Sequence, residues 1–272
     1  MTEFLARRER FARVGSTNDV IREWLAEGTA EVCLAVADEQ TAGRGREGRQ
    51  WVSPAGAAIL LSLGFRPDWL TPDRAWRIVA ATSLAMADAA EGTGGLPDGT
   101  IRLKWPNDLV VESVDGGVRK LAGLLGETDG LGTDDPRVVV GLGINADWSP
   151  ADYPAELAGS MTSLHEASGG RATDRSALLE AFLERLEARI AALRGGGFDA
   201  AGWAARQLAT GRDVQVSGHD GSIETHRAVG VDASTGGLLV ADPGAPGGER
   251  QILVGEIVHV RLADPATTSG RV

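Results

Sequence analysis

Cys33 is the only cysteine in a chain of 272 residues. A lone thiol rules out a disulfide within the chain and any cysteine metal cluster. Histidine is sparse as well: His165, His219, His226 and His259 are scattered, and no His-Glu-x-x-His pair occurs. No dedicated metal site is expected from such spacing. No apolar run is long enough to cross a membrane, and the N-terminal stretch Met1 to Glu9 has no apolar signal core. No membrane partner is therefore expected, and cytoplasmic residence is the default. Positive charge is in deficit, with 27 Lys+Arg against 38 Asp+Glu and a net charge of -11. A body this acidic is repelled by a nucleic-acid backbone. What remains is ordinary globular composition, 43% hydrophobic and 24% charged. The length suits one large unit, or a large and a small one.

Against the acidic background, the stretch from Gln40 to Trp51 concentrates Arg44, Arg46 and Arg49 among Gly43, Gly45 and Gly48. Glycine lets a loop fold tightly around a ligand. Arginine keeps its charge and offers a planar fork of donors to carboxylate or phosphate. The stretch reads as an anion-binding loop. Gly43-x-Gly45-x-x-Gly48 matches the dinucleotide fingerprint in form, but that motif must open a helix. Arg49-Gln50-Trp51-Val52-Ser53-Pro54 cannot start a regular one. A P-loop is excluded because Arg49-Gln50, not Lys-Ser/Thr, follows Gly48.

The surrounding chain alternates strand and helix signals. Ser16-Thr17-Asn18-Asp19 opens a helix with Val20, Ile21, Trp24 and Leu25 on one face and Gly28 as its stop. Ser16 or Thr17 can cap that helix, and the same polar groups at a helix N-terminus can bind a ligand. Strands are expected at Val32–Ala37, Ala57–Phe65, Ile101–Lys104, Leu109–Val111, Lys120–Glu127 and Arg137–Gly143. Helices are expected from Asp73 or Arg74 to Glu91, from Asp174 to Arg194, and around Ala200 to Gln207. Gly92–Gly99 reads as a turn. Trp105-Pro106-Asn107-Asp108 reads as a shaped turn, since Pro106 keeps Trp105 out of helical conformation. Beyond Gly211 come short strands separated by glycine turns, at Val214–Ser217, Thr225–Val231, Leu238–Val240 and Ile252–Arg261, which read as a small β-barrel-like module. The last residues are polar and expected to fray.

Gly43-Arg44-Gly45-Arg46-Glu47-Gly48-Arg49-Gln50-Trp51 resembles the signature loop of biotin protein ligases. Four more segments resemble that family in the same order: Ser16-Thr17-Asn18; Lys104-Trp105-Pro106-Asn107-Asp108-Leu109; Lys120-Leu121-Ala122-Gly123; and Gly141-Leu142-Gly143-Ile144-Asn145. The resemblance covers nearly the whole chain. It implies an α+β fold: a mixed β-sheet with flanking helices, as in class II synthetases, plus a C-terminal SH3-like β-barrel. The expected units are 1–209 for catalysis, 210–264 for the barrel and 265–272 for a tail. Glu47 departs from the pattern, since many relatives carry two adjacent arginines here; only local pairing is expected of it. Ser16-Thr17-Asn18 lies close to Met1, so the monofunctional type is expected, with no helix-turn-helix segment and no DNA partner.

The resemblance implies a two-step reaction, in which biotin and ATP form biotinyl-5′-AMP and a carrier lysine then takes the biotin. Arg44, Arg46 and Lys120 correspond to cations between the carboxylate and the phosphate, with Asp108 acting on the incoming lysine. Ser16, Thr17, Asn18, Gln40, Gly43, Gly45, Trp51 and Gly123 join Arg44, Arg46 and Lys120 around biotin, with Leu60 and Leu61 as apolar contacts. Arg46, Arg49, Trp51, Lys104, Asn107 and Asn145 fall on the ATP side. Mg²⁺ is expected with ATP, and the implied partner is a biotin carboxyl carrier domain. A lipoate-type ligase and a non-catalytic biotin sensor are the alternatives. An acyl phosphate needs shelter from water, so the loop is expected to close over it. Residues near Gly43–Gln50 should gain hydrogen-exchange protection with saturating biotin and ATP; unchanged protection would contradict closure.

Overall fold

The computed structural model describes residues 4–113, 116–218 and 221–260. In chain order these form β1 (Arg7–Phe11), α1 (Thr17–Ala26), β2 (Cys33–Ala37), β3 (Ala58–Phe65), α2 (Trp76–Gly94), β4 (Ile101–Lys104), β5 (Asp108–Glu112), β6 (Val118–Asp129) and β7 (Arg137–Asn145). Then follow α3 (Leu164–Ala167), α4 (Arg175–Arg194), α5 (Ala200–Ala205), β8 (Asp213–Ser217), β9 (Ile223–Val231), β10 (Leu238–Ala241), β11 (Glu249–Ile252) and β12 (Glu256–Val260).

The first seven strands make one mixed sheet, ordered β1-β2-β3-β7-β6-β5-β4. Only β1 and β2 run parallel; the other neighbours are antiparallel. Strand side chains alternate between faces. On β7, Val138, Val140, Leu142 and Ile144 enter the main core, as do Ile59, Leu61, Leu63 and Phe65 of β3. The helices α2 and α4 cover that face: Leu178, Phe182, Leu186 and Ile190 of α4 pack against the alanine-rich α2. The opposite face carries the alternate residues, including Ser62, Gly141 and Gly143. At one end of it α1 packs on Gly64, where a Cβ would sit 2.7 Å from Ile21 Cγ2. The remaining strands form a second sheet, β11-β10-β9-β8-β12, around Val214, Val216, Ala228, Leu238, Val240 and Ile257. The fold is thus the expected α+β arrangement with a small C-terminal β module.

Four local expectations are corrected. β1 was not foreseen, because RRERF is charged and sits at a sheet edge with most of its side chains exposed. The α2 helix begins at Trp76, after a 3₁₀ turn at Pro72–Arg74, and runs on through Gly92 to Gly94 before Gly95 (φ 63°) stops it. The single strand expected over Ile252–Arg261 is two strands, since Gly255 has φ 143° and breaks the run. The short α3 helix was also missed; at Leu164–Ala167 it spans barely one turn, too little to carry a periodic signal. The barrel's expected end at 264, the tail 265–272 and His219 lie outside the described residues.

One buried ion network holds the strand pair that carries the site. Glu91, 1% exposed at the end of α2, accepts from the Ile101 backbone N–H at 2.8 Å and from Arg206 at 2.9 and 2.8 Å. Arg206 also reaches Asp88 at 2.6 Å. Arg206→Ala would leave the Glu91 carboxylate buried without its cation, a loss of about 3–5 kcal/mol. The expected result is a lower urea midpoint at unchanged slope, partly restored by adding Glu91→Gln.

Candidate active site

A single transverse row of the seven-stranded sheet builds the site. In register across the strands lie Leu60, Gly143, Gly123, Asp108 and Lys104. Directly opposed residues share a face. The two glycines open a trough in that face, and the Trp51 indole lies in it. A Cβ at Gly143 would be 2.6 Å from the indole, and one at Gly123 would be 3.2 Å from it and 3.0 Å from Lys120 Nζ. Lys120 joins the row through a bulge. Leu109 pairs with Ala122 and Val110 with Lys120, so Leu121 is the extra residue. Without it, alternation would turn Lys120 to the helix-covered face with Ala122 and Leu124. With it, Lys120 stands beside Gly123, its Nζ 2.7 Å from Asp108 Oδ1. Such re-aiming is what a β-bulge does.

The start of α1 supplies the polar end of the site. Ser16, Thr17 and Asn18 are 4%, 2% and 4% exposed. Ser16 occupies the N-cap position, yet makes no side-chain cap bond. Gln40 Oε1 accepts from the Thr17 N–H at 2.7 Å and from its hydroxyl at 2.9 Å. Ser62 Oγ lies 2.7 Å from Thr17 Oγ1 and 2.6 Å from Asn18 Oδ1. Gly141, opposite Ser62 in the register, leaves room for the Asn18 amide.

Between this polar end, the arginine loop and the row lies a cavity of about 130 Å³. The loop arginines are already engaged. Arg44 donates to Asp19 through both terminal nitrogens, at 2.8 and 2.7 Å. Arg46 donates twice to the Gly255 carbonyl, at 3.2 and 3.3 Å. Arg49 pairs with Glu256 of β12 and lies 3.5 Å from Glu47. Burial pushes the Glu256 carboxyl up, but the bond to Arg49 together with the charges of Arg49, Lys104 and Arg46 brings the net shift downward. Glu47 has φ 56°, a left-handed conformation uncommon outside glycine. Burial lowers the Lys104 pKa, against the opposing pull of Asp108 at 3.9 Å. A second cavity, of about 570 Å³, adjoins the first; Arg46, Asn107 and Asp108 border both, and Trp76, Trp105 and Lys104 line the second.

The sequence pattern of the Biotin/lipoate A/B protein ligase family matches residues 11–145. The biotin–[acetyl-CoA-carboxylase] ligase of Mycobacterium tuberculosis is 35% identical over 255 residues, covering 92% of this chain and 88% of that protein. The chain belongs to the biotin protein ligase family. A second relative of the same name, from Paracoccus denitrificans, is 32% identical across 85% of this chain and 93% of its own length. Among solved structures, the biotin protein ligase from Aquifex aeolicus in complex with biotin and ATP superposes with a TM-score of 0.75. It is 26% identical, and the match covers 94% of this chain and 99% of that one.

Of the residues that the ligase resemblance singles out, the cavity gathers Ser16, Thr17, Asn18, Gln40, Arg44, Gly45, Arg46, Arg49, Trp51, Leu61, Asn107, Asp108, Lys120 and Gly123. Four stand apart. Lys104 lines the second cavity. Gly43 does not line the first; it shapes the loop, where a Cβ would lie 2.7 Å from the Trp51 carbonyl. Leu60 is buried, and outside the lining. Asn145 is 4% exposed and donates to the Thr162 carbonyl at 2.9 Å, so its amide is committed to the segment behind Lys120. Glu256 was not foreseen, because nothing in the pattern of a C-terminal strand ties it to a loop some two hundred residues away.

The Arg44 guanidinium holds the Asp19 carboxyl at about 2, well below its ordinary 3.8. The pair therefore stabilises the loop above pH 3.8 and its contribution disappears as pH falls through about 2. A carboxyl-carbon NMR titration should place Asp19 near the lower value, and Arg44→Ala should return it toward the ordinary one.

Proposed function

We propose that this chain is an ATP-dependent biotin–protein ligase, forming biotinyl-5′-AMP and transferring biotin to a lysine of a biotin carboxyl carrier domain. The observation that carries the proposal is convergence: five separated motifs meet at one cavity or on its supporting row, with Lys120 and Asp108 paired at its edge. The units read as 1–209 for catalysis and 210–264 for the barrel. No described helix is long and apolar enough to cross a membrane, and we place the reaction in the cytoplasm, with ATP.

In the first step a biotin carboxylate oxygen attacks the α-phosphorus of ATP. A new O–P bond forms, the bond to the β-phosphate oxygen breaks, and pyrophosphate leaves. Two anions must meet, so cations are needed between them, and donors fixed in advance stabilise the charge gathering on the phosphoryl oxygens. Lys120, Arg44 and Arg46 fill this role, each exchanging a protein acceptor for a ligand oxygen. Arg49, Asn107 and Trp51 serve the nucleotide. Thr17, Asn18, Ser16 and Gln40 meet the ureido ring, where an unmatched buried polar group costs about 1–3 kcal/mol. Among the described residues no group of three or more His, Cys, Asp or Glu could cage a metal. Mg²⁺ would arrive on the ATP phosphates and offset their charge there.

In the second step the carrier lysine's nitrogen attacks the acyl carbon. An amide bond forms, the C–O bond to phosphate breaks, and AMP leaves. Asp108, on the wall shared by the two cavities, accepts the amine proton. The larger cavity, with Trp76 and Trp105 along its sides, suits the apolar stem of the arriving lysine.

Incubation with ATP, Mg²⁺, labelled biotin and a biotin carboxyl carrier domain should yield labelled adenylate and then labelled carrier. No pyrophosphate release above background would refute the enzyme reading, and a preference for lipoate would redirect it. Lys120→Ala should slow adenylation by about 10²–10³-fold with a much smaller effect on biotin affinity. Near-normal turnover would remove Lys120 from catalysis.

A further inference from the structure

An asparagine amide offers an oxygen on one edge and an NH₂ on the other, and half a turn exchanges them. At the polar end of the cavity that choice decides what the pocket can bind. Asn18 Nδ2 donates to Glu127 Oε2 at 2.7 Å. Glu127 lies on β6, on the same face as Gly123 and Leu125, and does not itself line the cavity. An ionised carboxylate accepts only. Asn18 must therefore turn its NH₂ toward Glu127, which sends Oδ1 toward Ser62 and the cavity.

The hydrogens of Thr17 and Ser62 are spent within the protein as well. The Thr17 N–H and hydroxyl both go to Gln40 Oε1. The single Ser62 hydroxyl hydrogen serves the two oxygens within 2.7 Å of it. Asn18 Oδ1 is thus held as an acceptor beside the cavity that Asn18 lines.

We propose that Glu127 is a positioning residue that fixes the polarity of Asn18 and so makes its Oδ1 an acceptor for the N–H edge of a cyclic urea. The proposal rests on the ligase reading. It adds a residue outside the signature motifs that acts on biotin selection without touching biotin.

Calorimetry on the full chain tests it. Glu127→Gln replaces the obligate acceptor by an amide that presents either edge. Biotin affinity should fall by about tenfold, while ATP affinity and the thermal midpoint stay at wild-type values. In an Asn18→Ala background the same change should have no further effect on biotin, since the positioned group is gone. Wild-type biotin affinity in Glu127→Gln, or an equal loss in both backgrounds, would overturn the proposal. Failure of the wild-type chain to bind biotin would instead overturn the ligase reading on which it rests.

Discussion

Residues opposed across an antiparallel sheet must share a face, and the site depends on where this constraint is kept and where it is broken. It is kept from Leu60 through Gly143 and Gly123 to Asp108 and Lys104, so one line across the sheet carries a trough and a charged rim. It is broken once, at Leu121. A lysine turned into the helix-covered core would lose its charge or impose a desolvation cost of several kcal/mol. The bulge keeps Lys120 out of that core and within 2.7 Å of Asp108. The strands themselves are held at that height by Glu91 and Arg206 beneath.

The electrostatics follow from the composition. In a chain with net charge -11, a cluster of arginines does not stay unpaired. Asp19, the Gly255 carbonyl and Glu256 each take one of the three. These acceptors order the loop and keep it from acting as an open positive patch. Arg44 and Arg49 stay partly open to solvent, which screens both pairs.

Much of this was legible in the sequence. Arg137–Gly143 reads as a strand from its run of apolar residues, and most strand and helix positions followed from signals of that kind. Most residues that line the cavity were legible through their motifs. What escaped has physical reasons. RRERF carries no apolar signal because it is an edge strand. The commitment of Asn145 to Thr162 depends on a loop packing that no local pattern encodes. A bulge leaves no mark on composition, so the motif around Lys120 points to the residue while the direction of its side chain has no signature in the strand's alternation. Glu127 and Glu256 act on partners 109 and 207 residues away, where periodicity is silent.

The hold that β12 keeps on Arg46 and Arg49 has a consequence for the anion loop. Both grips come from consecutive residues, Gly255 and Glu256, at the entry to one strand of the small sheet. That one strand entry thus holds two of the loop's three arginines. With this shared support in the small sheet, the shape of the loop is set in part by a strand outside the sheet that carries the row.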